Sequence, residues 1–184
     1  MGAPKKRFSK ATWLEKSLEI LSKEGEKKLT VDHLVKEMGV TRGSFYWHFK
    51  SRADYIQCLA EYWAEEYSEK VMRFANSEVP EAKERLLFLF QQLTEFDIAR
   101  YDAAVLSWSQ HEPGAKQCVQ QTLNSRIEFL RTIYSALGFT GAELEMRIQT
   151  TFTFQTMELN GYNHLSKAER MNLVASRHKM LTRK

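Results

Sequence analysis

Proline is scarce, with three residues in 184, and so is cysteine, with two. Two cysteines, Cys58 and Cys118, supply neither a disulfide framework nor a metal-binding cluster. The longest uninterrupted apolar run is Leu86–Phe90, five residues, which excludes a transmembrane helix and the core of a signal peptide. The start, Met-Gly-Ala-Pro-Lys-Lys, lacks the Ser or Thr at position six of a myristoylation signal. No His-x-x-x-His, no Cys-x-x-Cys and no glycine-rich phosphate loop occurs, so the chain offers no constellation for an enzyme and none for a cofactor. The nearest candidates for a nucleophile or a metal cluster are His111-Glu112 and Cys118. These absences lead to the expectation of a soluble, cytoplasmic, non-enzymatic protein without cofactor or metal.

What is present is charge, and it is unevenly placed. Residues 1–52 carry 12 Lys or Arg against 6 Asp or Glu, whereas residues 53–184 carry 15 against 17. A positive excess confined to one end is the footprint of a polyanion-binding surface.

Apolar spacing is helical almost throughout. Leu14, Leu18 and Leu21 step by four and three, and Val119, Leu123, Ile127, Leu130, Tyr134 and Leu137 continue that rhythm over a longer span. Gly25 and Gly138 stand where helices end; Pro4, Pro80 and Pro113 read as boundaries. Ser51-x-x-Asp54, Thr140-x-x-Glu143 and Ser166-x-x-Glu169 are helix-start signals. The pattern predicts an all-α protein with helices at about 10–24, 31–38, 42–49, 52–76, 81–98, 102–111, 115–137, 141–162 and 167–181. Thr150–Phe154 alternates like a strand but has no second strand to pair with, so it is assigned to helix.

Residues 30–49 carry the functional signal. Thr30 can cap a short helix with Val31, Leu34, Val35 and Met38 on its apolar face, and Gly39 permits the left-handed turn that stops it. Val40 plugs the turn and Thr41 caps the next helix, which buries Phe45 and Phe49 and offers Arg42, Ser44, Tyr46, Trp47 and His48 outward. This is a helix-turn-helix, whose second helix suits the DNA major groove. Thr41 and the amides after it suit a phosphate. Gly43 allows close backbone approach, Arg42 can fork onto guanine or pair with phosphate, and Ser44 is a small donor and acceptor. Tyr46, His48, Lys50 and Arg52 are placed for phosphates, and Trp47 for a thymine methyl, a sugar edge or packing on the protein itself.

Thr30-Val31-x-x-Leu34 and Gly39-Val40-Thr41-x-Gly43-Ser44-Phe45-Tyr46-x-His48-Phe49, followed by the basic Arg52, resemble the DNA-binding signature of the TetR family of bacterial transcriptional regulators. Val35 and Met38 stand where that family usually has alanine, and Phe45 replaces a more usual leucine. The resemblance spans about residues 9–69 and implies a helix-turn-helix DNA-binding domain there, with a helical effector-binding and dimerisation domain over 70–184. It further implies nine helices, a homodimer on a palindromic double-stranded DNA operator, and release by a small-molecule effector. Control by oxidation of Cys58 or Cys118, or by a partner protein, is the alternative. For the effector pocket the sequence suggests Trp108, His111, Tyr134, Phe154 and Glu158, polar or aromatic residues in apolar surroundings. For the dimer interface it suggests the stripe Leu144, Ile148, Phe152, Gln155 and Leu159, facing Met171, Val174, His178 and Leu181.

Overall fold

The computed structural model describes residues 8–162 and 165–183, with side chains up to 155 and again from 165. Ten α-helical segments occur among them, with no strand: α1 (Lys10–Glu24), α2 (Val31–Met38), α3 (Arg42–His48), α4 (Arg52–Ala64), α5 (Lys70–Glu78), α6 (Ala82–Glu95), α7 (Ile98–His111), α8 (Pro113–Ala136), α9 (Gly141–Tyr162) and α10 (Lys167–Thr182). A π-helical turn, Glu65–Glu69, joins α4 to α5 without a loop, so these two count as the single fourth helix expected from sequence. Thr150–Phe154 lies within α9, as the missing strand partner required. No described helix is long and apolar enough to cross a membrane.

Two compact units divide the chain. The first contains the residues through Ala64 together with Ala104–Val119; the second contains Glu65–Ala103 and Gln120 onward. The amino-terminal unit is therefore discontinuous, whereas the sequence suggested one cut near residue 69.

In the amino-terminal unit, Ser9 caps α1 by accepting from the Thr12 amide at 3.1 Å. The leucines of α1 face a core of aromatic rings. Phe45 stands edge-on to Trp13 and to Tyr55, with centroids 5.6 and 5.2 Å apart, and Phe49 lies 4.9 Å from Phe45. Each such pair adds about 0.5–1.5 kcal/mol to the area it buries. The polar atoms inside are satisfied: the Tyr55 hydroxyl donates to Ser17 Oγ at 2.7 Å, and Ser17 Oγ donates to the Trp13 carbonyl at 2.7 Å. Val105, Trp108, Ala115 and Val119 are buried in the same unit.

The second unit is built on α10 lying along α6. Leu86, Leu89 and Phe90 of α6 pack in one cluster with Leu130, Ile133 and Tyr134 of α8, Ile148 of α9, and Val174 and Leu181 of α10. Ser166 and Glu169 form a reciprocal capping box at the start of α10. Lys167 pairs with Glu95 at 2.6 Å and Arg170 with Asp97 at 2.7 Å. The break between α6 and α7 falls at Phe96–Asp97, where Asp97 takes φ 53°, and α7 begins at Ile98, four residues before the sequence expectation.

Candidate nucleic-acid interface

The turn between α2 and α3 follows from its residues. Thr30 Oγ1 accepts from the His33 amide at 3.2 Å, which caps α2. Gly39 adopts φ 66°, ψ 37°, and Val40 N–H then reaches back to the Val35 carbonyl at 3.0 Å, closing the helix. Leu34 and Phe45, one from each helix, are both fully buried. Phe45, edge-on to Trp13, holds α3 against α1. Val35 and Met38, larger than the family's usual alanines, are only half-buried.

Burial on one side of α3 leaves the other side to solvent. Thr30, Thr41, Arg42, Gly43, Tyr46, Trp47, Lys50 and Arg52 are exposed, and Ser44 and His48 are half-buried. Trp47, at 80% exposure, is the most open large apolar side chain among the described residues, and Tyr46 follows at 55% on the same short helix. His48 lies between the Trp47 ring at 4.7 Å and the Trp13 ring at 6.3 Å. A Cβ built on Gly43 would meet only Thr41 Oγ1, at an ordinary 3.7 Å, so the protein's own packing does not require glycine there.

Two of the expected DNA contacts carry partners that sequence reasoning missed. Arg42 forks onto Asp32, with Nε and Nη2 each 2.5 Å from a carboxylate oxygen, and this pairing holds the guanidinium above its usual pKa. Asp32 sits in the first turn of α2, ten residues earlier, so only the α2–α3 crossing brings them together. Arg52 Nη2 donates to Glu112 Oε2 at 2.7 Å. Glu112 joins α7 to α8, and no sequence signal links it to the helix-turn-helix. The Lys50 amide donates to Asp54 Oδ2 at 2.7 Å, and the Asp54 amide to Ser51 Oγ at 3.1 Å, which sets the entry into α4.

The residues suggested for an effector pocket do not come together. Trp108 is buried and His111 exposed in the amino-terminal unit, where both line a polar cleft of about 220 Å³ with Glu26, Lys27, Leu29, Arg52 and Glu112. Tyr134 lies in the core of the second unit, its hydroxyl 2.5 Å from Thr151 Oγ1. Phe154 carries the Arg177 guanidinium over its ring at 5.1 Å. The side chain of Glu158 lies outside the described residues, as does that of Leu159. The stripe suggested for dimerisation turns largely inward: Ile148, Val174, His178 and Leu181 are buried in their own unit, with His178 Nε2 2.9 Å from the Lys83 carbonyl. Leu144, Phe152 and Met171 are half-buried at the margin of that cluster. Helical period marks an apolar face on these helices, and the core of their own unit takes most of it.

The second unit contains an apolar cavity that the sequence did not reveal. Val71, Met72, Leu89, Leu93, Ile98, Phe129 and Leu130 line it, with Tyr67, Ser68, Arg126 and Gln155. Tyr67 and Ser68 come from the π turn, a backbone device that often marks functional sites. Beside the cavity Arg126 forks onto the fully buried Asp102, at 2.6 and 3.1 Å, and donates through Nε to Ser68 Oγ at 2.8 Å. No group of three metal-ligating side chains occurs among the described residues.

Known proteins fit this arrangement. Residues 14–56 match the model for bacterial regulatory proteins of the tetR family. A 46-residue segment is 33% identical to TtgW of Pseudomonas putida, an uncharacterised HTH-type transcriptional regulator; it covers 25% of this chain and about a third, 34%, of that protein. Among solved structures, PfmR of Thermus thermophilus, a TetR-family regulator, superposes with a TM-score of 0.71 at 14% identity, over 92% of this chain and 96% of its own. The FadR regulator of Bacillus subtilis, solved with stearoyl-CoA, superposes at 0.69 with 17% identity, over 95% and 98%. At such identities the structural likeness speaks for the fold, while the matched segment speaks for the helix-turn-helix. Residues 14–56 thus carry the helix-turn-helix segment of tetR-family regulatory proteins, and the chain shares the fold of TetR-family regulators.

Proposed function

We propose that the protein is a homodimeric repressor that binds a palindromic operator through α3 and releases it when a small molecule occupies the cavity of the second unit. The observation that carries the DNA reading is the solvent face of α3. It leaves a tyrosine and a tryptophan more than half exposed, beside a glycine that internal packing does not require. Exposed aromatics of that size call for a partner, and the surrounding Arg42, Lys50 and Arg52 give the partner negative charge. In this reading Tyr46, His48, Lys50 and Arg52 hold phosphates, and Arg42 and Ser44 read base edges. Two copies place their α3 helices about 34–36 Å apart, one turn of duplex.

The dimer reading rests on α9 and α10, now through the faces they leave open. Met146, Leu173 and Met180 are exposed there at 62%, 43% and 55%. The effector reading rests on the lined cavity and the buried ion pair at its side. Its support from relatives is that one regulator of this fold was solved with an acyl-CoA bound.

Fluorescence anisotropy tests the proposal, with DNA from upstream of the protein's own gene against a scrambled duplex over a salt series. The expected result is tight binding to one fragment by two chains, with a steep salt slope. Tyr46→Ala and Arg52→Ala weaken binding to both duplexes alike, whereas Arg42→Ala and Ser44→Ala change which base pairs matter. Fragments selected from the whole genome extend the search if the upstream region is not the operator. Failure to select any preferred sequence sinks the reading.

A further inference from the structure

We propose that Glu112 restrains DNA binding by holding the Arg52 guanidinium that a DNA phosphate would take, so that the junction of α7 and α8 supplies the reader with its own counter-ion. This rests on the reading of Arg52 as a phosphate contact and adds what competes for it.

The pair is lopsided. Arg52 Nη2 donates to Glu112 Oε2 at 2.7 Å, yet the Arg52 side chain is 66% exposed and that of Glu112 only 16%. A phosphate can therefore approach the guanidinium from solvent, while the carboxylate stays inside the protein. Neither residue makes another ion pair among the described residues. A largely buried carboxylate that loses its cation is left desolvated without compensation. A phosphate that takes Arg52 must therefore outweigh what Glu112 already supplies.

Glu112 is also fixed in place. Two residues on, Gly114 lies so close to α4 that a Cβ there would stand 3.2 Å from Ile56 Cγ2. Ile56 is fully buried and comes one helical turn after Arg52, on the same face of α4. On the other side of Glu112, His111 Nδ1 stands 3.4 Å from Glu26 Oε2, and Trp108 is buried in the same unit. The carboxylate is thus held beside the first turn of α4 from both directions and does not follow Arg52 outward.

The test uses the full chain and a DNA duplex of arbitrary sequence, because phosphate contacts carry no sequence code and need no operator. Anisotropy is followed over a salt series, and circular dichroism checks that each variant is folded. Glu112→Gln is expected to tighten binding about three- to tenfold at low salt and to steepen the salt slope by about one. Glu112→Ala should do the same, so a folding defect in one variant does not decide the outcome. In an Arg52→Ala chain, Glu112→Gln should change affinity by less than about twofold. Plain repulsion between Glu112 and the duplex predicts the reverse, a larger gain once Arg52 no longer neutralises the carboxylate. Unchanged or weaker binding by both Glu112 variants overturns the proposal, as does a gain that persists without Arg52. If Arg52→Ala weakens binding in the Glu112→Gln chain while Glu112→Gln itself has no effect, Arg52 holds a phosphate and only the restraint by Glu112 fails. If Arg52→Ala changes neither affinity nor salt slope in either background, the phosphate reading of Arg52 fails and the proposal falls with it.

Discussion

Removing Asp102 while keeping Arg126 should be among the most damaging changes available in the second unit. Asp102 is fully buried and Arg126 is 8% exposed, so the pair sits out of water with two direct hydrogen bonds between the charges. Taking one partner from a buried pair leaves an uncompensated charge and costs about 3–5 kcal/mol. For a chain of this size each kcal/mol moves the melting midpoint by about 2–4 °C, so Asp102→Ala is expected to melt about 6–20 °C lower. Arg126→Met should fall in the same range, because it strands the carboxylate and also removes the donor to Ser68 Oγ. The double variant, Asp102→Leu with Arg126→Met, replaces two desolvated charges with apolar volume and should melt above either single variant. Melting is followed by circular dichroism at one fixed chain concentration, since association makes the midpoint concentration-dependent. Single variants that lose under about 2 °C, or a double variant that loses the sum of both, would refute the account of this pair.

Three further outcomes are expected. Asp32→Ala frees the Arg42 guanidinium and removes a negative charge beside α3; DNA affinity at low salt should rise a few-fold with little change in stability, and the salt slope should grow by about one if Arg42 then takes a phosphate. Gly39→Ala forces a side chain into φ 66°, with no atom within 4 Å to clash, so it should cost about 1–2 kcal/mol from backbone conformation alone, as read in urea melts. Burial pushes Tyr134 up to about 12 from an ordinary value of 10.0. The folded state keeps that proton where the unfolded state releases it, so stability should hold below pH 10 and fall between 10 and 12. Burial pushes Tyr55 in the same direction, and Tyr134→Phe with Tyr55→Phe should flatten the alkaline loss seen in urea titrations.

The sequence was most legible where local chemistry settles the matter. Helices 10–24 and 31–38 end where expected because Gly25 and Gly39 take positive φ. The helix-turn-helix was readable because caps, turn glycine and apolar spacing all lie within twenty residues. The break before α7 was misplaced because it uses Asp97 in a left-handed conformation, with neither glycine nor proline to announce it. The cavity was hidden for a different reason. Arg126 and Asp102 look like two more surface charges in a chain that is 27% charged, and only packing shows them buried. Gln155 shared an apolar stripe with Ile148, and the spacing alone did not say whether that stripe met a partner, a core or a cavity.

The discontinuity of the amino-terminal unit has a consequence for the order in which the protein is made. Val105, Trp108, Ala115 and Val119 are among its buried residues, so a ribosome that has released only the helix-turn-helix and α4 has not yet released all of the unit's buried side chains. A DNA-reading module that needed only its own contiguous segment could fold and reach the chromosome while the rest of the chain was still being synthesised. Here the segment that completes the reader lies on the far side of α5 and α6 in chain order. A prematurely terminated chain would therefore lack part of that unit's buried apolar residues, and truncation is expected to yield a protease substrate rather than a free-standing helix-turn-helix.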